Sequence, residues 1–316
     1  MSESVKIIYM GTPDFAVAPL RVLLEEGIEV GCVVTQPVRG RGRGRKPAPS
    51  PVEVFAADEG LPVMTPLKAG DQSFIEELAA KDADFFVVVA YGKILPAEVL
   101  AIPGGGCVNL HASLLPQYRG AAPINRAIIE GAEATGLTTM LMDEGMDTGP
   151  ILLQESLAIG ADETAEELAR RLSAIGGGLL VETLLELSAG RLKPRPQEEG
   201  LATYAPSMTK KDGLIDWTRT AREIKNLVRG VYPWPGAFTY RGGPVLKIHS
   251  VQTAPCEVPG AGAGPGSIAR VEKDSFFVST GEGLVEVLEV QPENKRKMSA
   301  GDFIKGYKPE VGEQLG

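Results

Sequence analysis

Cysteine, histidine and long apolar runs are all scarce in this 316-residue chain, and each scarcity excludes something. The three cysteines, Cys32, Cys107 and Cys256, are odd in number and far apart. They offer neither a disulfide framework nor a C-x-x-C metal spacing and read as buried thiols. No apolar run approaches the roughly 20 residues that span a bilayer. The stretch MSESVKIIYMG carries acid where a secretion signal carries base, so a cytoplasmic protein without a membrane partner is expected. Neither G-x-G-x-x-G nor a P-loop occurs, which removes most of the case for nicotinamide, flavin or nucleoside triphosphate chemistry. There is no internal repeat. The remaining composition, 43% hydrophobic and 23% charged, excludes wholesale disorder, collagen-like repeats and coiled coil. At this length two domains are expected.

The net charge of −9 argues against a surface that is basic throughout, yet the charge is unevenly spread. From Leu201 onward 15 Lys and Arg face 13 Asp and Glu, a net of +2, which leaves −11 for residues 1–200. A mildly basic carboxyl-terminal part beside an acidic amino-terminal part fits a polyanionic partner. Within the acidic part lies the exception RGRGRGRK, with Arg39, Arg41, Arg43, Arg45 and Lys46 and no acidic residue between Glu29 and Glu53.

The order of patterns is that of an open α/β domain. VKIIYMG reads as a strand, TPDFAVAPLRVLLEEG as a helix capped by Thr12 or Asp14, and IEVGCVVTQ as a second strand. LPVMTP, DADFFVVVAYG and GCVNLHAS follow as strands, with DQSFIEELAAK a helix capped by Asp71. The strands are apolar throughout, as in a parallel sheet covered on both faces. TGLTTMLMD adds a strand and ILLQESLAI an edge strand. A long helix over 162–189 begins with the capping-box pattern Thr164 to Glu167 and carries Leu168, Leu172, Ile175, Leu179, Leu180, Leu184 and Leu187 on one stripe. Residues 190–207, with Pro194 and Pro196, read as a linker. Beyond it a short helix near 219–230 and the short strands GAFTYRG, PVLKIHSVQ, GSIARVEKD, SFFVSTG and GLVEVLEVQ suggest a small barrel. The fold class is thus α/β: a Rossmann-like, open, mostly parallel sheet domain over 1–189, followed by a smaller OB-like β-barrel domain over 208–316.

The chemistry-bearing segment is CVNLHASLLPQYRGAAPINRAI. His111, one of only two histidines, ends a strand where open α/β sheets bind ligands, and Asn109 lies two residues before it. Residues i and i+2 of a strand share a face, so an amide and an imidazole point the same way, and Ser113 continues the alternation. The bland reading is a satisfied structural histidine; the functional one is a donor pair facing a reacting group. In GLTTMLMDEGMDTGP, Asp143, Glu144 and Asp147 are candidate carboxylates, any of which could orient the imidazole or close an acidic turn. Met140, Met142 and Met146 read as core filling. Gly11 reads as a tight strand-to-helix turn. No cluster has metal-ligand spacing.

NLHASLLPQYRGAAPI and TGLTTMLMDEGMDTGPIL resemble the signature of enzymes that use 10-formyltetrahydrofolate. With TQPVRGRGRGRKPAPSPV and YAPSMTKKDGLIDW, the chain resembles the methionyl-tRNA formyltransferase family over essentially its full length. The first two motifs are shared with the sugar-nucleotide and formyltetrahydrofolate dehydrogenase branches; the arginine-rich loop and the barrel-like domain set the tRNA branch apart. The resemblance implies that Asn109, His111 and Asp147 are catalytic, and that Ser113, Leu114, Leu115 and Pro116 contact the folate. It further implies that the 39–46 loop binds tRNA, with Arg43 aligning best. The expected co-substrate is 10-formyltetrahydrofolate without a metal, and the expected partner is methionyl initiator tRNA, bound by a monomer. Two alternatives stand beside it: a formyltransferase or hydrolase for a small molecule such as a sugar nucleotide, and an RNA-binding module without activity.

Overall fold

The run KIIYMG forms β1 (Lys6–Gly11), buried at every residue after Lys6, in a computed structural model that describes residues 5–38, 48–254 and 264–316. The chain divides into two units. One comprises Met1–Gly120, Ala134–Ala158 and Ala169–Ala205; the other Ala121–Glu133, Ile159–Leu168 and Pro206–Gly316. In the first, β1 is followed by α1 (Val17–Glu25), β2 (Glu29–Val34), α2 (Pro51–Asp58), β3 (Val63–Met64), α3 (Gln72–Ala79), β4 (Phe85–Val89), α4 (Ala97–Leu100) and β5 (Cys107–His111). These strands lie parallel in the order β3-β2-β1-β4-β5. Every residue of β4 and β5 is buried, as covering on both faces requires. After α5 (Pro123–Ile129), a part of the second unit, β6 (Ala134–Leu141) pairs antiparallel with β5, and β7 (Ile151–Ala158) completes the sheet as an edge.

The helix α6 (Ala165–Ser188) starts at the expected capping box, in which Glu167 accepts from the Thr164 amide at 2.9 Å and Thr164 accepts from the Glu167 amide at 3.3 Å. Of its apolar stripe, Leu168, Leu172, Leu179, Leu180 and Leu184 are buried, whereas Ile175 and Leu187 are half-buried. Two glycines set its approach: a Cβ on Gly176 would fall 2.6 Å from Leu110 on β5, and one on Gly177 would collide with Val22 on α1. Their helix-propensity cost, about 1 kcal/mol each, is the cost of seating α6 directly against the strand that ends in His111. The expected cap of the first helix is not made. A 3-10 turn over Asp14–Ala16 precedes α1, and the Thr12 hydroxyl donates to the Tyr91 carbonyl at 3.1 Å instead. The helix α2 was not expected; Ser50 caps it reciprocally with Glu53.

The second unit contains α5, α7 (Ala221–Gly230), β8 (Ala237–Tyr240), β9 (Val245–Ala254), β10 (Ile268–Val271), β11 (Phe276–Ser279), β12 (Leu284–Pro292), β13 (Met298–Ser299) and α8 (Ala300–Tyr307). The strands form one antiparallel sheet, β10-β11-β12-β9-β8, with β13 on β12. Its two edges meet through the chain's last residues: Gln314 bridges Ser267 beside β10, and Leu315 bridges Arg241 beside β8. This closure makes the unit barrel-like. Trp217, Ile248, Val287, Phe276 and Phe303 fill its core, and α8, also absent from the sequence reading, contributes Phe303. No helix among the described residues is long and apolar enough to cross a membrane.

Arg241 locks the closure, donating from Nε and Nη2 to the two Glu313 oxygens at 2.6 and 3.0 Å, while its guanidinium lies 5.3 Å from the Phe303 ring centre. The hydrogen bond from Arg241 holds the Glu313 carboxyl below the usual carboxylate range. A carboxyl whose folded value is depressed stabilises the fold above its unfolded value of about 4.3 and loses that contribution as pH falls through the lower folded value. Glu313→Gln is therefore expected to destabilise the protein by about 1–2 kcal/mol at pH 7. Its unfolding curve should approach that of the parent as both are acidified below pH ~4; equal midpoints at pH 7 would refute the lock.

Candidate active site

The sheet reverses direction between β5 and β6, and the site lies at the carboxyl end of β5. Asn109 is in register with Val88 and Met140, and His111 with Thr138. Two residues apart on one strand, the amide and the imidazole share a face, and both are nearly covered, at 9% and 6% exposure. Among the described residues no group is hydrogen-bonded to the Asn109 carboxamide. The imidazole is held at both nitrogens. Nε2 lies 3.0 Å from the Tyr118 carbonyl oxygen, which can only accept, so Nε2 carries the hydrogen and donates. Nδ1 then faces Asp147 Oδ2 at 3.6 Å, within ion-pair range and beyond hydrogen-bond reach.

Asp147 reaches this position because its backbone is left-handed, at φ +54°. Asp tolerates that region better than most residues. The same Oδ2 accepts the Gly120 amide at 2.8 Å. Of the three candidate carboxylates only Asp147 is brought to His111. Asp143 closes its own turn, accepting from the Gly145 amide at 3.0 Å and the Thr148 hydroxyl at 2.7 Å, and Glu144 is exposed.

The segment Ser113, Leu114, Leu115 and Pro116 is fixed to the neighbouring strands. The Ser113 hydroxyl, without exposure, donates to the Gln117 carbonyl at 2.6 Å. Thr138 donates to the Ser113 carbonyl at 2.6 Å and accepts the Leu115 amide at 3.0 Å. Leu115 packs with Met140 and Ile151, while Leu114 and Pro116 stay half-buried. Met140 is core as expected and Met142 packs in part against a separate cluster that includes Phe86 and Cys107, but Met146 departs from that reading, at 64% exposure beside Asp147. The cations Arg39, Arg41, Arg43, Arg45 and Lys46 lie outside the described residues. Burial pushes the Cys107 thiol up to about 12, and Cys32 is also a buried free thiol; Cys256 lies outside the described residues. No group of His, Cys, Asp and Glu among the described residues could hold a metal ion.

The Formyl transferase model matches residues 5–184, and the Formyl transferase, C-terminal domain model matches residues 207–308. A methionyl-tRNA formyltransferase of Citrifermentans bemidjiense is 49% identical over 311 residues, covering 98% of this chain and 96% of its own. Another, from Thermodesulfovibrio yellowstonii, is 47% identical over 97% of each chain. The chain belongs to the methionyl-tRNA formyltransferase family. It is a formyltransferase, with a folding pattern shared more widely. WlaRD, a sugar 3N-formyl transferase solved in the presence of dTDP and 5-N-formyl-THF, superposes with a TM-score of 0.67 at 19% identity, over 93% of this chain and 100% of that one. HypX from Aquifex aeolicus, solved with tetrahydrofolic acid, gives 0.67 at 16% identity over 99% of this chain, which spans about half of HypX at 49%. These two likenesses concern the fold alone.

Sequence patterning points to Asn109 and His111 but misses the backbone groups that hold the imidazole and its carboxylate partner, the Tyr118 carbonyl and the Gly120 amide. The available signal is the glycine itself. Gly120 has φ +115°, and a Cβ there would lie 2.8 Å from the Ala205 carbonyl oxygen. Gly120→Ala is expected to destabilise the protein by about 1–3 kcal/mol through backbone strain and overpacking. Denaturant unfolding checks this, and an unchanged midpoint would show that the turn relaxes freely.

Proposed function

We propose that this formyltransferase moves the formyl group of 10-formyltetrahydrofolate to the α-amino group of methionine esterified to initiator tRNA, acting as a cytoplasmic monomer. The observation that carries the residue roles is the convergence of Asn109, His111 and Asp147 at the end of β5. The amine attacks the formyl carbon, the bond from that carbon to N10 of the folate breaks, and one proton passes from the amine to N10. An α-amino group has a pKa of about 7.7–8.0, so roughly a tenth to a sixth of it is already neutral near pH 7 and no strong base is required.

The demanding step is charge growth on the formyl oxygen. The Asn109 carboxamide is available to donate to it. Because Nε2 is committed to Tyr118, the working nitrogen of His111 is Nδ1, on the side of the ring that faces Asp147. An N–H at Nδ1 donates to the oxyanion, and the Asp147 carboxylate stabilises the imidazolium and relays the proton. Donors of this kind contribute roughly 3–4 kcal/mol each. Ser113, Leu114, Leu115 and Pro116 border the site, and we assign them the folate contact. The likeness of fold to proteins solved with tetrahydrofolic acid and 5-N-formyl-THF supports a folate co-substrate. The cations of the 39–46 loop and the net positive charge beyond Leu201 supply the attraction to tRNA phosphates.

The decisive assay sets charged initiator tRNA beside charged elongator tRNA and amino-sugar nucleotides; formylation of the sugar alone would replace the tRNA reading. His111→Ala is expected to lower kcat by about a hundredfold or more while folate affinity changes by only a few fold, because the donor acts as the oxyanion forms. Retention of more than about a tenth of the parent kcat would remove His111 from the catalytic set. For the loop, Arg43→Ala should raise KM for charged tRNA and leave KM for the folate nearly unchanged. Replacing all five cations should lower the slope of log affinity against log salt by about 0.7–0.9 per lost phosphate contact; an unaltered slope would make the loop a linker.

A further inference from the structure

Arg119 takes no part in the reaction described above, yet its side chain has lost all solvent exposure. Its five donors are met largely by two side chains from the stretch beyond α6. Nη1 and Nη2 bind the Glu199 carboxylate at 2.9 and 2.8 Å, and Nε and Nη2 bind the Gln197 amide oxygen at 3.1 and 2.9 Å. With its oxygen committed to the guanidinium, the Gln197 amide has one orientation. The flipped form would set NH2 against Arg119 and oxygen against two carbonyls. Its Nε2 therefore points to the catalytic turn, donating to the Asp147 carbonyl at 2.8 Å and the Gly149 carbonyl at 2.7 Å.

The backbone of the same stretch fixes the other side of the site. Thr203 accepts the Arg119 amide through its carbonyl at 2.8 Å and the Tyr118 amide through its hydroxyl at 2.8 Å, and the Ala205 amide donates to the Arg119 carbonyl at 2.7 Å. Tyr118 orients His111 and Gly120 holds the Asp147 carboxylate, so both flanks of the imidazole–carboxylate pair are secured by Gln197, Thr203 and Ala205.

We propose that Gln197, oriented by Arg119 and Glu199, is a positioning residue that sets Asp147 against His111. This rests on Asp147 having the role given above. It acts through a turn held in a left-handed conformation that few residues adopt unaided, so loss of its two hydrogen bonds frees the carboxylate to move.

The test is a double-mutant cycle on the full-length protein. Gln197→Met keeps the side-chain volume and removes both bonds to the turn together with the oxygen that accepts from Arg119. It should lower kcat by about tenfold, with KM for 10-formyltetrahydrofolate and for methionyl initiator tRNA within about twofold of the parent. In an Asp147→Asn background the same change should lower the residual rate by less than about twofold, because no carboxylate remains to be placed. Glu198→Gln, an exposed neighbour on the same stretch, serves as the control with parental kinetics. Parental kcat in Gln197→Met, or an equal fall in both backgrounds, overturns the proposal. Should Gln197→Met fail to fold by thermal melting, Glu199→Gln replaces it. That change weakens the clamp from an exposed position and should lower kcat by about threefold with the same lack of additivity; parental kcat there overturns the proposal equally. Asp147→Asn with parental kcat would instead remove the underlying role of Asp147, a result the single variant shows by itself.

Discussion

A carboxylate left with only 17% of its side-chain exposure, 3.6 Å from an imidazole, needs donors around it, since water supplies few. Much of the first unit follows from meeting that need. The Gly120 amide reaches Oδ2, which demands a residue without Cβ at a left-handed turn pressed against Ala205. The carbonyl of the same aspartate takes an amide from Gln197, itself aimed by a guanidinium that a second carboxylate neutralises. The result is an imidazole–carboxylate pair held from the backbone outward, on the same strand end as an Asn109 carboxamide whose donors are unspent among the described residues. Such preorganisation costs no rearrangement at the moment charge develops.

Much of this architecture is legible in the chain. Parallel strands covered on both faces need apolar runs, and IIYMG and FFVVV are such runs, while CVNLH is interrupted only by the two polar residues of the candidate site. Asn109 and His111 are legible because a strand end at the sheet's carboxyl edge is a place where polar groups converge. Asp143, Glu144 and Asp147 lie within five residues of one another, and spacing cannot separate them. The choice is made by the Thr148 hydroxyl, which takes Asp143, and by a positive φ at Asp147. The helix α2 is hidden because eight residues present too short a stripe, although Ser50, Pro51 and Glu53 spell its capping box. Pro194 and Pro196 mark the stretch as a linker. What their pattern conceals is that Arg195 pairs both ways with Ile151 at 2.8 Å and that Gln197 and Glu199 face a buried cation.

The second unit is legible in another way. Gly and Pro separate β8 from β9, β9 from β10 and β11 from β12, and the polar run at 272–275 parts β10 from β11, so the sheet follows from turn chemistry. Its closure does not. Two single bridges at Gln314 and Leu315 leave no periodic trace, and they depend on an ion pair between Arg241 and Glu313, 72 residues apart.

The placement of Gln197 also bears on modularity. Asn109, His111 and Asp147 all precede the end of α6, so a fragment cut at residue 189 would keep every side chain proposed to act in the reaction. It would also keep Arg119, now a cation without its two acceptors in a pocket shaped to hide it, and would leave the Asp147 and Gly149 carbonyls without their donor. The catalytic half of this chain is therefore not a portable cassette. Its boundary runs through the stretch that leads out of it, and any exchange of carboxyl-terminal domains between relatives must carry residues 195–205 with the amino-terminal partner.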